Sequence, residues 1–225
     1  MARHLDLEEQ EQLDELKHYW NQYGNLITWI LIVVFGSVAA WNGWQWWQRE
    51  QAVKASALYD EVERAAASGD TARVEQGFKD VKDRFGRTTY AQQAALLAAR
   101  VLADKGKPDV AKSALQWVAE DGSDEGLQAV AKLRLAAVLA EGKAYDEALK
   151  QLDSGLPQAF EALAADRRGD VYNLQGKKDQ ARQEYQKAWQ AFGPDSDYRT
   201  LVEVKLTALG VDVQALKAAP ESAKS

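Results

Sequence analysis

The chain has 225 residues, 46% of them hydrophobic and 28% charged, which is enough apolar content for a buried core and too much for a disordered chain. It has no cysteine and only two histidines, His4 and His18. That excludes disulfides and thiol chemistry throughout, and histidine triads or zinc sites outside the N-terminal arm. The net charge of −6 argues against binding nucleic acid by phosphate neutralisation.

Residues 1–24 read as an acidic arm. Arg3 and Lys17 stand against Asp6, Glu8, Glu9, Glu11, Asp14 and Glu15. No charged residue then occurs between Lys17 and Arg49. The run from Leu26 to Trp41 would span about 24 Å as a helix, somewhat less than a bilayer core of about 30 Å. Aromatic flanks supply the rest. Trp20 and Trp41 would lie about 31 Å apart along a helix, and Trp44, Trp46 and Trp47 follow at the far end. Tryptophan favours the membrane interface because its ring is apolar and its N–H needs a polar partner. The expectation is a transmembrane helix over 25–47, with Trp20, Trp41, Trp44, Trp46 and Trp47 at the interfaces. A cleaved signal peptide competes with this reading, since Ser37-Val38-Ala39 resembles a cleavage site. Signal peptides open on a basic region, however, and this arm is acidic, so a retained anchor is preferred. Lys and Arg counts near the two ends lean toward a cytoplasmic body by a single charge, which leaves orientation open.

Residues 48–210 show no β alternation and are rich in Ala, Leu, Gln, Glu, Lys and Arg, the composition of helices. Breaks fall at Gly69, Gly86, Gly106-Lys107-Pro108, Gly122 to Gly126, Gly142, Gly155 to Pro157, Gly176 and Gly193-Pro194. The clearest repeat places Gly169, Tyr172, Gly176, Ala181, Tyr185 and Ala188 at the offsets of the tetratricopeptide pattern, in which small and aromatic residues pack between antiparallel helices. The same offsets give Ala136, Leu139, Ala148 and Leu152; Ala99, Leu102, Ala111, Leu115 and Val118; and Val62, Ala65, Val74, Phe78 and Val81. Ala165 and Arg168 depart from the pattern, which has an aromatic and a leucine there. The predicted fold class is all-α: an N-terminal transmembrane helix, then a tetratricopeptide-like superhelix of about four helix pairs with turns at Gly69, Gly106, Gly142 and Gly176. A capping helix over 197–209 and a tail over 211–225 complete it. With no glycine or proline between Gly43 and Ser68, the membrane helix is expected to run on into the first repeat helix.

Stacked helix pairs leave a concave face suited to peptides and partner helices. Repeat position nominates Gln93, Leu96, Arg100 and Asp104 in the second copy, Leu133 and Glu141 in the third, and Asp166, Asp170 and Asn173 in the fourth. Asp166 and Asp170 are expected to face solvent. The sequence has no GxxxxGK[ST], GxSxG or HExxH, and no GxGxxG follows a strand, so neither an enzyme nor a cofactor, metal or small-molecule site is expected.

The arm Leu7-Glu8-Glu9-Gln10-Glu11-Gln12-Leu13-Asp14-Glu15-Leu16-Lys17, followed by Trp20, one anchor and degenerate repeats, resembles the ancillary SecYEG translocon subunit family, also called the YfgM family. The resemblance implies an inner-membrane protein with a cytoplasmic N-terminus and a periplasmic repeat domain. It also implies association with the Sec translocon and the membrane-anchored chaperone PpiD, and hand-over of translocating polypeptides to periplasmic chaperones. A regulatory protein whose acidic arm holds a signalling partner is the alternative.

Overall fold

The structure is a computed structural model that describes residues 7–153 and 155–218. The arm residues Arg3, His4 and Asp6 and the end of the tail, 219–225, lie outside the described residues. Every regular element among the described residues is helical. The elements are α1 (Leu7–Ala67), α2 (Thr71–Phe85), α3 (Thr89–Asp104), α4 (Pro108–Asp121), α5 (Glu125–Glu141), α6 (Tyr145–Asp153), a 3-10 turn (Gln158–Phe160), α7 (Glu161–Leu174), α8 (Lys178–Ala191), α9 (Asp197–Ala208) and α10 (Val213–Ala218). The chain divides after Gln51 into two compact units. α1 is one uninterrupted helix through that boundary, as the absence of breakers predicts.

The first unit carries the apolar stretch. Leu26, Ile27, Trp29 to Phe35 and Val38 are all exposed, as are Trp20, Trp41, Trp44, Trp46 and Trp47. The polar side chains here bond within the helix. Thr28 donates to the Gly24 carbonyl at 2.7 Å, Ser37 to Val33 at 2.7 Å and Asn42 to Val38 at 2.9 Å. Hydrocarbon requires this, because it offers polar groups no other partner. α1 is the one helix among the described residues long and apolar enough to cross a membrane.

The second unit is a stack of helix pairs: the end of α1 with α2, α3 with α4, α5 with α6, and α7 with α8. Nearly every residue that the repeat offsets single out is buried, from Val62, Val74, Phe78 and Val81 in the first pair to Ala181, Tyr185 and Ala188 in the fourth. α2 shows the mechanism: Val74, Phe78, Val81 and Phe85 recur at helical spacing and bury one stripe. Alanines at 91, 94, 95, 98 and 99 let the neighbours of α3 approach closely. Gly169 serves the same end. A Cβ there would lie 2.5 Å from Cδ1 and Cε1 of Tyr185.

Each first helix ends in the same turn. A residue of positive φ follows it, and the next N–H reaches back five residues: Asp70 to Ala65, Lys107 to Leu102, Ala144 to Leu139 and Lys177 to Tyr172. The positive-φ residues are Gly69, Gly106, Lys143 and Gly176. The third turn therefore pivots on Lys143 and not on Gly142, which corrects the reading from the glycine pattern. α9 ends identically, with Gly210 at φ 80 and Val211 donating to Leu206. The capping helix is thus the first helix of a fifth unit. The short α10 forms inside the expected tail and buries Val213.

Candidate functional site

The positive-φ residue closing each first helix fixes a common register. Counting back from it, positions 2, 6, 9 and 13 share one helical face. On α3 these are Asp104, Arg100, Leu97 and Gln93; on α5, Glu141, Ala137, Arg134 and Val130. On α7 they are Leu174, Asp170, Arg167 and Leu163; on α9, Ala208, Val204, Leu201 and Asp197. All of them are exposed or half-buried. One step along the helix rotates a residue by about 100°, which turns Leu96, Leu133 and Asp166 inward.

That rotation sorts the nominated residues. Gln93, Arg100, Asp104 and Glu141 lie on the shared face, and Asp170 is half-buried on it. Asn173 is exposed one position off the register. Leu96 and Leu133 are core residues, and their neighbours Leu97 and Arg134 take the surface. Asp166 is 0% exposed, which overturns its assignment to solvent.

The reason lies in α9. Lys205 Nζ reaches Asp166 at 2.7 and 2.9 Å and Asp170 at 2.7 Å. Tyr198 donates to Asp166 at 3.1 Å and Tyr185 to Asp170 at 2.7 Å. Arg167 also donates to Asp170, at 3.1 Å. Two cations thus meet two carboxylates, and the cluster ties α7 to α8 and α9. Burial first, then the carboxylate of Asp166, pushes the Tyr198 hydroxyl up to about 12. Burial and the bond to Asp170 push Tyr185 further in the same direction. Burial alone would lower the pKa of Arg167, but Tyr198, Asp170 and Asp166 together raise it. The two aspartates are occupied internally and are not free to bind a partner.

A second ionic cluster explains the departure at Arg168. Its guanidinium bonds Glu184 at 2.9 Å, the Leu152 carbonyl at 3.1 Å, Asp153 at 3.3 Å, and Glu161. Where the repeat pattern has leucine, this chain joins α6, α7 and α8 by charge.

The shared face carries two unlike regions. Arg100 and Arg134 lie side by side on α3 and α5. Arg134 donates to the Leu96 carbonyl at 3.3 Å, within one turn of Arg100. Partial burial first, then the like charge of Arg100, lowers the pKa of Arg134. At the other end, Leu174 is 56% exposed, Leu201 46% and Val204 63%. Leu97, Arg134, Leu174, Leu201 and Val204 were not nominated from sequence. The spacing of the turn residues at 69, 106, 176 and 210 carries the register, but it is complete only once Lys143 is seen to stand in for a glycine.

Comparison with known proteins agrees with this architecture. A family profile described as a tetratricopeptide repeat-like domain matches residues 17–211. The chain is 32% identical to a Neisseria gonorrhoeae protein named ancillary SecYEG translocon subunit, over 93% of this chain and 100% of that one. A protein of the same name from Escherichia coli is 32% identical over 84% of this chain and 88% of its own, and one from Aggregatibacter actinomycetemcomitans is 30% identical over 90% and 98%. The crystal structure of MamA protein superposes at a TM-score of 0.48 and 20% identity, covering 76% of this chain and 97% of that one. With an exposed apolar helix at its start, a tetratricopeptide-like array behind it and relatives matched along nearly their whole length, the chain belongs to the ancillary SecYEG translocon subunit family.

Proposed function

We propose that this protein is a membrane-anchored, non-enzymatic adaptor of the Sec translocon that binds polypeptides through the shared face of its first helices. The observation that carries the reading is the repetition of that face. Four helices present it in one register, and it is the surface a stacked array leaves open to a ligand. The names of the relatives support the translocon as its place of action. The bare apolar helix with its tryptophan belts supports a single-pass anchor in the bacterial inner membrane.

The finer reading follows the family resemblance. The N-terminal arm is cytoplasmic and the repeat domain periplasmic, since a large translocated domain overrides a difference of one flanking charge. Translocating chains and the chaperone PpiD are the partners, and the domain passes or holds newly emerged polypeptides for periplasmic chaperones.

Site-specific photocrosslinking in intact membranes tests both levels. A crosslinker at Val204 is expected to capture translocon subunits, PpiD or nascent secretory chains, and one at the buried Leu206 is not. Capture of cytoplasmic proteins alone from Val204 would refute the orientation. Equal capture from both positions would refute the face.

A further inference from the structure

Two arginines on the exposed face stand without a carboxylate in contact. Among the described residues, no carboxylate ion-pairs with Arg100 or Arg134, and the recorded bond of Arg134 goes to a backbone carbonyl. Asp104, one turn beyond Arg100 on α3, and Glu141, two turns beyond Arg134 on α5, pair with neither. Unpaired guanidiniums side by side are unusual in a chain of net charge −6. They repel one another, and a carboxylate placed between them would relieve that repulsion and gain charge-assisted hydrogen bonds.

The next step along the face is neutral, because Arg167 and Asp170 pair with each other at 3.1 Å. Leu174 is exposed at the end of the same helix, and beyond it on α9 lie the exposed side chains of Leu201 and Val204. From α5 to α9 is two helix spacings, about 20 Å at ~10 Å each, which an extended chain covers in about six residues.

From this charge complementarity and spacing, and resting on the reading of the protein as a polypeptide-binding adaptor, we propose that the face docks an extended polypeptide segment of defined polarity. Acidic side chains of the segment sit at Arg100 and Arg134, and apolar side chains about six residues away sit on Leu174, Leu201 and Val204. The ligand is a protein segment and not a lipid surface. Anionic lipid would be met by a broad basic patch, whereas here two arginines are set at a fixed span from an apolar strip on the same face.

Fluorescence anisotropy on the full chain in non-ionic detergent tests this. The probe is a labelled peptide, acetylated and amidated so that it has no terminal carboxylate. It carries two glutamates, a glycine-serine spacer of about six residues, and Leu-Phe. A second peptide has glutamine in place of both glutamates. The expected result is that the glutamine peptide binds about tenfold more weakly. The double variant Arg100→Gln/Arg134→Gln is expected to lose about tenfold for the glutamate peptide and nothing for the glutamine peptide, with partial rescue by Arg100→Lys/Arg134→Lys. Leu201→Gln/Val204→Gln is expected to weaken both peptides.

Equal binding of the two peptides, or equal losses for both in the arginine variant, would overturn the proposal. So would displacement of the probe by phosphatidylglycerol micelles with glutamate-independent peptide binding, which would assign the arginines to lipid. Co-purification of translocon subunits from native membranes separates this outcome from failure of the adaptor reading. If the wild-type chain retains the translocon but shows no glutamate dependence, only the docking proposal fails. If it brings down no translocon, the adaptor reading fails.

Discussion

Lys205→Met is expected to open the C-terminal end of the array. The lysine sits within 2.7 Å of one oxygen on each of Asp166 and Asp170, and it is itself 21% exposed. Removing it leaves Asp166, which is 0% exposed, with the Tyr198 hydroxyl as its recorded hydrogen-bond donor, while Asp170 keeps Tyr185 and Arg167. Breaking a buried pair at one partner costs about 3–5 kcal/mol, because an uncompensated charge stays behind. Lys205 is not fully buried, so a discounted cost of about 2–4 kcal/mol is expected. Hydrogen exchange of the α8 and α9 amides is the suitable assay. It reports opening of this end of the array directly and does not assume that all repeats unfold together. The cost corresponds to exchange about 30- to 1000-fold faster in α8 and α9, with little change in α3 and α4. Adding Asp166→Asn to Lys205→Met is expected to recover part of the loss, since it removes the stranded charge. Exchange within about threefold of wild type in Lys205→Met would refute the view that these charges hold the end of the array together.

Gly169→Ala is expected to cost about 1–3 kcal/mol, because the new methyl group meets the Tyr185 ring at 2.5 Å; thermal denaturation checks this, and Tyr185→Leu is expected to relieve it. Lys143→Gly is expected to stabilise by about 1 kcal/mol, seen as a higher melting temperature, since Lys143 holds φ at 62 where glycine incurs no penalty. The folded state raises the Tyr198 pKa to about 12 from about 10, so its stabilising contribution is complete below pH ~10 and is lost as pH rises through about 12. α9 exchange, corrected for the intrinsic pH effect, is expected to accelerate across that window and to do so less in Tyr198→Phe. In the anchor, Val33→Lys places a charge mid-span at a cost of about 2.5–3.5 kcal/mol to insertion, which is expected to reduce the fraction that resists alkaline extraction.

The helices and their buried stripes were legible in the sequence because they depend on local properties. Periodic apolar positions such as Val74, Phe78 and Val81 must face inward once a helix forms, and turn glycines such as Gly106 and Gly176 mark where it stops. The apolar run with its tryptophans needed no tertiary information either, since its partner is the solvent around it. The face of the array was only half legible. Register along a helix turns by about 100° per residue, so a nomination one step out exchanges Leu97 for Leu96 and Arg134 for Leu133. Asp166 shows what tertiary structure alone decided. Its sequence neighbours Arg167 and Arg168 bond Asp170 and Glu184 instead, and an aspartate beside arginines on a helix reads as a solvated residue. Only the return of α9 brings Lys205 and Tyr198 within hydrogen-bond distance and makes the carboxylate part of the core. The same return leaves Leu201 and Val204 on the open side of the last first-helix position. Which side chains are buried there, and which are left for a partner, follows from the packing of elements some 35 residues apart in the chain.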